Sequence, residues 1–297
     1  MGAMTTAKKA TAKKATAKKA TAKKAPARKY TDWKPVIARA REIVEGYETR
    51  VTLRQLFYRL VSEGLIPNTL KSYDYLSDRT AIARRAGTFP DLFDRGRWIH
   101  RPAFSDDVDD AIDGMLDGFR LDRTIGQDVS VYLAVEKAGL VELVSGWYEE
   151  QGIPVLALGG YASQSYVDQV AREVRRQGRP AVLLYAGDWD PEGEDIDRDF
   201  EARTGCWDKV VRVALTVEQV IEHGLPIAVG KEKSSRAATF REKYGRLAQV
   251  ELDALPPDVL RRLFDEALAE WWDAAASDRV MADERDAYAD LTRIVAR

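Results

Sequence analysis

Four short apolar runs, spaced by helix-length segments, constrain the fold of this chain more than any other feature. VSVYLAVE (129–136), IPVLALGG (153–160), AVLLYAGD (181–188) and KVVRVAL (209–215) have strand length and are rich in Val, Leu, Ile and Tyr. The segments 137–151, 161–177 and 192–202 between them read as helices. Runs that are apolar throughout, rather than alternating, need cover on both faces of a sheet. Helical crossovers provide that cover, so the expectation is α/β with a parallel sheet. From 256 onward the chain reads as mostly helix, with Trp271 and Trp272 packed against the rest.

The first half has a different rhythm. Segments 32–47, 52–63 and 72–86 follow a helical period. In the second, Thr52 is a candidate N-cap, and Leu53, Leu56, Phe57, Leu60 and Val61 make one stripe. Pro67 and Asn68 break the chain after it. A short wing or hairpin is expected at 96–99. Helices followed by a wing suggest a winged-helix (CAP-like) domain. The expected organisation is a basic tail over 1–29, the winged-helix domain over 30–124 and the parallel α/β domain over 125–297.

Charge divides the chain sharply. The 297 residues carry a net charge of -2, yet residues 1–29 hold ten basic residues and no acids. The repeat TTAKK ATAKK ATAKK ATAKK has no apolar face and is expected to be disordered. Its lysines suit phosphates, in a sequence-independent and salt-sensitive way. An acidic body that works on DNA gains most from such a tether. The single cysteine, Cys206, excludes an internal disulfide and a Cys-based zinc site, and reads as a small buried hydrophobe. Two histidines, His100 and His223, are too few for a His-rich metal site. With no membrane-length apolar run and no signal peptide, the expectation is a cytoplasmic, nucleoid-associated protein with no membrane partner.

Three acids stand at strand ends. Glu136 closes the first run, and Asp188 and Asp190 follow the third in GDWDPEG. Sites in open parallel sheets form outside the carboxyl ends of strands. Carboxylates gathered there suit a hard cation such as Mg²⁺, with Mn²⁺ as a substitute. Glu at the end of one strand, then Asp-x-Asp after a later one, resembles the toprim signature of topoisomerases, bacterial primases and some nucleases. AVEKAGL, LGGYAS and GDWDPEGEDI resemble the corresponding stretches of the topoisomerase VI A subunit and the related meiotic double-strand-break protein. The likeness covers most of residues 129–200.

That family carries a nucleophilic tyrosine in a winged-helix domain before the toprim domain. RQLFY (54–58) resembles its motif, with Arg54 as the arginine and Tyr58 as the nucleophile. The helical period agrees in one respect: Tyr58 falls off the apolar stripe and shares a flank with Arg54, one turn earlier.

The resemblance implies Mg²⁺ held by Glu136, Asp188 and Asp190, with Glu136 also counted in the catalytic set. It implies cleavage of double-stranded DNA through a 5′-phosphotyrosyl link, performed by a homodimer in which one protomer's tyrosine works with its partner's metal site. Arg79, Arg84, Arg85 and Lys137 are the candidate DNA contacts. No GxxxxGK[ST] loop is present, so the chain is expected to act without ATP on its own, and strand passage would need a separate ATPase B-type subunit. Glu251 and Asp253, in QVELDALPP (249–257), read as structural, with an auxiliary metal role second. The alternatives are a toprim metal-dependent nuclease that does not use Tyr58, and a non-catalytic, nucleoid-type DNA-binding protein on the same scaffold.

Overall fold

The computed structural model describes residues 32–47, 51–93, 102, 104–230 and 234–295. The basic tail and the expected wing at 96–99 lie outside them. Three helices come first: α1 (Trp33–Gly46), α2 (Leu53–Ser62) and α3 (Leu70–Arg85). Each of the last two starts at a threonine cap, Thr52 or Thr69. At Thr52 the capping is reciprocal, with the side chains of Thr52 and Gln55 each accepting the other's backbone N–H. Val36, Ala40, Ile43, Leu56, Phe57, Leu60, Leu76 and Phe89 form a core of their own among these helices. After α4 (Val108–Asp117) the chain enters the sheet.

The strands are β1 (Ser130–Val135), β2 (Val155–Ala157), β3 (Ala181–Ala186) and β4 (Lys209–Ala214). They pair in parallel in the order β2-β1-β3-β4, so the fold class is α/β as expected. Side chains alternate between two faces. Leu133, Val135, Val182, Leu184 and Val213 meet α5 (Val141–Trp147), α8 (Val217–Glu222) and α10 (Pro257–Leu268) on one side. Tyr132, Ala134, Leu183 and Tyr185 meet α6 (Gln164–Arg176) and α7 (Gly193–Thr204) on the other. Helices α9 (Ala237–Tyr244) and α11 (Ala274–Val295) complete the chain. Trp271 and Trp272 pack against the first of these faces, as expected, and Cys206 against the second.

From β1 the chain moves outward to β2, then returns past β1 to β3. The connections therefore diverge between β1 and β3, which makes the carboxyl ends of those two strands the topological switch point of the sheet. The chain from Trp33 onward clusters as a single unit, in which Tyr58 of α2 packs against both the helical core and the sheet core. Among the described residues, no helix is long and apolar enough to cross a membrane.

Candidate functional site

Register places the three acids. Val135 pairs with Ala186, so Glu136 and Asp188 emerge side by side at the switch point. Glu136 Oε2 accepts the Asp188 N–H at 2.8 Å. Asp188 Oδ1 accepts the Leu252 N–H at 2.7 Å, which ties the loop to a 3-10 turn at Leu252–Ala254. Asp190 Oδ1 accepts the N–H groups of Glu192 and Gly193, at 3.0 and 2.7 Å, at the start of α7. Gly193 is required by close approach: a Cβ there would collide with the Asp188 carbonyl. Asp188 and Asp190 are 5% and 7% exposed, so both are acids held inside the protein.

The packing has an electrostatic cost. Burial, and then the charge of Asp188, raises the Glu136 carboxyl to about 7. Burial raises Asp188 as well, against the pull of Lys137. Among the described residues, no group of three or more His, Cys, Asp or Glu side chains forms a ready metal cage. The acids are instead tied to peptide N–H groups and to one ammonium. Lys137 Nζ lies 3.2 Å from Asp188 Oδ2, 3.0 Å from Glu251 Oε2 and 3.5 Å from Asp253 Oδ2.

Glu251 is the joint between the sheet and the helices. Its Oε2 also accepts from Arg54 Nη1 at 2.8 Å. Tyr58 faces the same carboxylate: burial raises its phenol pKa, and the charge of Glu251 and a hydrogen bond to it raise it further, while Arg54 and Lys137 pull the other way. The sequence-derived residues Arg54, Tyr58 and Lys137 thus meet at Glu251, Lys137 adds Asp188, and Glu136 joins them through the Asp188 N–H. No family model and no curated protein matches the chain.

The arginines of α3 stand apart. Arg79 and Arg85 are exposed and Arg84 is half-buried, and no hydrogen bond or ion pair links them to the carboxylate cluster among the described residues. Leu70, Tyr75 and Ile82 are exposed on the same helix, which mixes basic and apolar surface. Lys137, also a candidate DNA contact, has a side chain only 25% exposed and surrounded by acids.

One functional group was not singled out in sequence. Arg212, in β4, donates to the carbonyls of Asp188 at 2.7 Å, Gly193 at 2.9 Å and Leu215 at 3.0 Å. It holds the loop of Asp188 and Asp190 from below. The available signal was an arginine inside an otherwise apolar strand, since a charge there must find partners. Glu251 and Asp253, read in sequence as structural, enter the cluster through the 3-10 turn at Leu252–Ala254, which brings both to Lys137.

Proposed function

We propose that this chain is a divalent-cation-dependent DNA transesterase of the type IIB topoisomerase A-subunit kind, with α1 to α3 as its winged-helix unit and the sheet as its toprim unit. One observation carries the reading: Arg54 and Tyr58 of the helical unit share Glu251 with Lys137, which pairs with Asp188 at the switch point. Nucleophile and acids stand at one junction within a single chain, where the resemblance implies a tyrosine paired with the partner's metal site.

The donor set fits a hard cation. Glu136, Asp188 and Asp190 offer carboxylate oxygens, and two of them sit in surroundings that penalise an uncompensated negative charge. When bound, Mg²⁺ or Mn²⁺ supplies Lewis-acid stabilisation of charge on the phosphate and the leaving oxygen. The side chains do the rest. Tyr58 Oη attacks phosphorus and passes its proton to the Glu251 carboxylate, its hydrogen-bond partner, as the new P–O bond forms. The bond to the 3′ oxygen breaks, and that oxygen leaves with the electron pair and takes up a proton. The Arg54 guanidinium favours the developing phenolate charge and can grip a phosphate oxygen. One phosphodiester replaces another, so the step is reversible. A homodimer brings two tyrosines, one for each strand.

The test uses supercoiled plasmid with Mg²⁺ or Mn²⁺, stopped in detergent. The expected product is protein joined to 5′ ends, lost in Tyr58→Phe and in Asp188→Asn. Protein-free cuts that survive Tyr58→Phe would replace this reading with a nuclease. Salt-sensitive binding without cuts would replace it with a DNA-binding protein, the reading that the AKKAT tail favours.

A further inference from the structure

We propose that Lys137 is the built-in counter-ion of the carboxylate site and sets its divalent-cation affinity by competing for Asp188. The inference rests on the cation reading above. An ammonium has three hydrogens to donate, and Lys137 faces three carboxylates, Asp188, Glu251 and Asp253, all within 3.5 Å. Asp188 has two oxygens: Oδ1 takes the Leu252 N–H and Oδ2 faces the ammonium. A cation that draws on Asp188 must therefore share Oδ2 with Lys137 or displace it.

Displacement has a ready path. Glu251 and Asp253 remain as partners when the ammonium leaves Asp188, so Lys137 needs to swing and not to unpair. Its compact, flexible charge suits that role better than the planar fork of an arginine. Among the described residues, the hydrogen bonds at Glu136 and Asp190 go to Oε2 and Oδ1, and the ion pairs of Lys137 go to Asp188, Glu251 and Asp253. The ammonium thus works as a resident cation that holds the acids together and makes binding of an added one reversible.

The experiment measures Mn²⁺ binding to the full chain by electron paramagnetic resonance, with no DNA present. Lys137→Gln is expected to bind Mn²⁺ about tenfold or more tightly than wild type, because one unit of nearby positive charge is gone. Lys137→Arg keeps the charge and stays near the wild-type affinity. If Lys137→Gln does not fold, as judged by circular dichroism, Lys137→Met takes its place with the same expectation. Wild type that binds Mn²⁺, beside a folded charge-neutral variant that binds no more tightly, overturns this inference alone. A Lys137→Gln protein that loses DNA affinity with unchanged Mn²⁺ affinity overturns it too, and makes Lys137 a phosphate contact. No Mn²⁺ binding by either protein, both folded, overturns the inference together with the cation reading beneath it.

Discussion

A single guanidinium holds the loop that carries two of the three acids. Arg212 is 17% exposed at its side chain and spends its donors on three backbone carbonyls, with Asp197 3.5 Å away. Removing it leaves those carbonyls short of a partner and Asp197 without its cation. Arg212→Leu should lower unfolding stability by about 2–4 kcal/mol in urea titrations, and Arg212→Lys should recover only part of it. An Arg212→Leu protein as stable as wild type would show that the loop holds itself. Glu136 makes a second prediction at this scale. Its folded pKa is raised to about 7 from 4.5, so the native chain binds that proton more tightly than the unfolded one. The contribution is then fully present below about pH 4.5 and is lost as pH rises through about 7. In EDTA, the Tm should fall between about pH 5 and 8, and Glu136→Gln should flatten the fall. A flat wild-type profile would place this carboxyl in the ordinary range.

Elements were legible where pattern and cap agreed. Helix α2 starts and ends within a residue of the segment read from its stripe, because Thr52 and Gln55 close its first turn. Thr52→Ala should cost about 1 kcal/mol, with Ser restoring most of it, as read from the urea midpoint. No loss would mean that packing alone sets the start of α2. The segment 137–151 does not form a single helix: it divides into a 3-10 turn at Ala138–Leu140 and the shorter α5, and Gly152 turns the chain at φ 66°. The second apolar run yields only three strand residues, since glycines at positive φ, Gly159 and Gly160, end it early. Helix α4 was not read in the sequence although Val108, Ala111, Ile112, Met115 and Leu116 make one apolar stripe, and of these only Leu116 is buried.

At the scale of the molecule, charge separation is the feature to test. With the ten basic residues of the tail set aside, the remaining chain holds 36 basic and 48 acidic residues, so the DNA binding proposed above should lean on residues 8–24. Replacing Lys8, Lys9, Lys13, Lys14, Lys18, Lys19, Lys23 and Lys24 with glutamine should flatten the slope of log affinity against log salt by roughly 5. Fluorescence anisotropy on a short duplex measures it. An unchanged slope would move the phosphate contacts to the body, with Arg79, Arg84 and Arg85 first in line.

The sequence by itself determined the class of fold and the positions of the three acids. Strand length, burial on both faces and helical spacing are local properties, and a strand end is where its apolar run stops. The resemblance of RQLFY to a family motif picked out Arg54 and Tyr58, and the helical period agreed in placing them on one flank. Only the tertiary structure decided what those residues meet. Strand order sets the switch point between β1 and β3, and the turn at residues 252–254 carries Glu251 and Asp253 across the chain to Lys137. Arg54 and Glu251 are 197 residues apart in sequence and 2.8 Å apart in the fold. No local pattern encodes such a contact, because it depends on how separate elements pack.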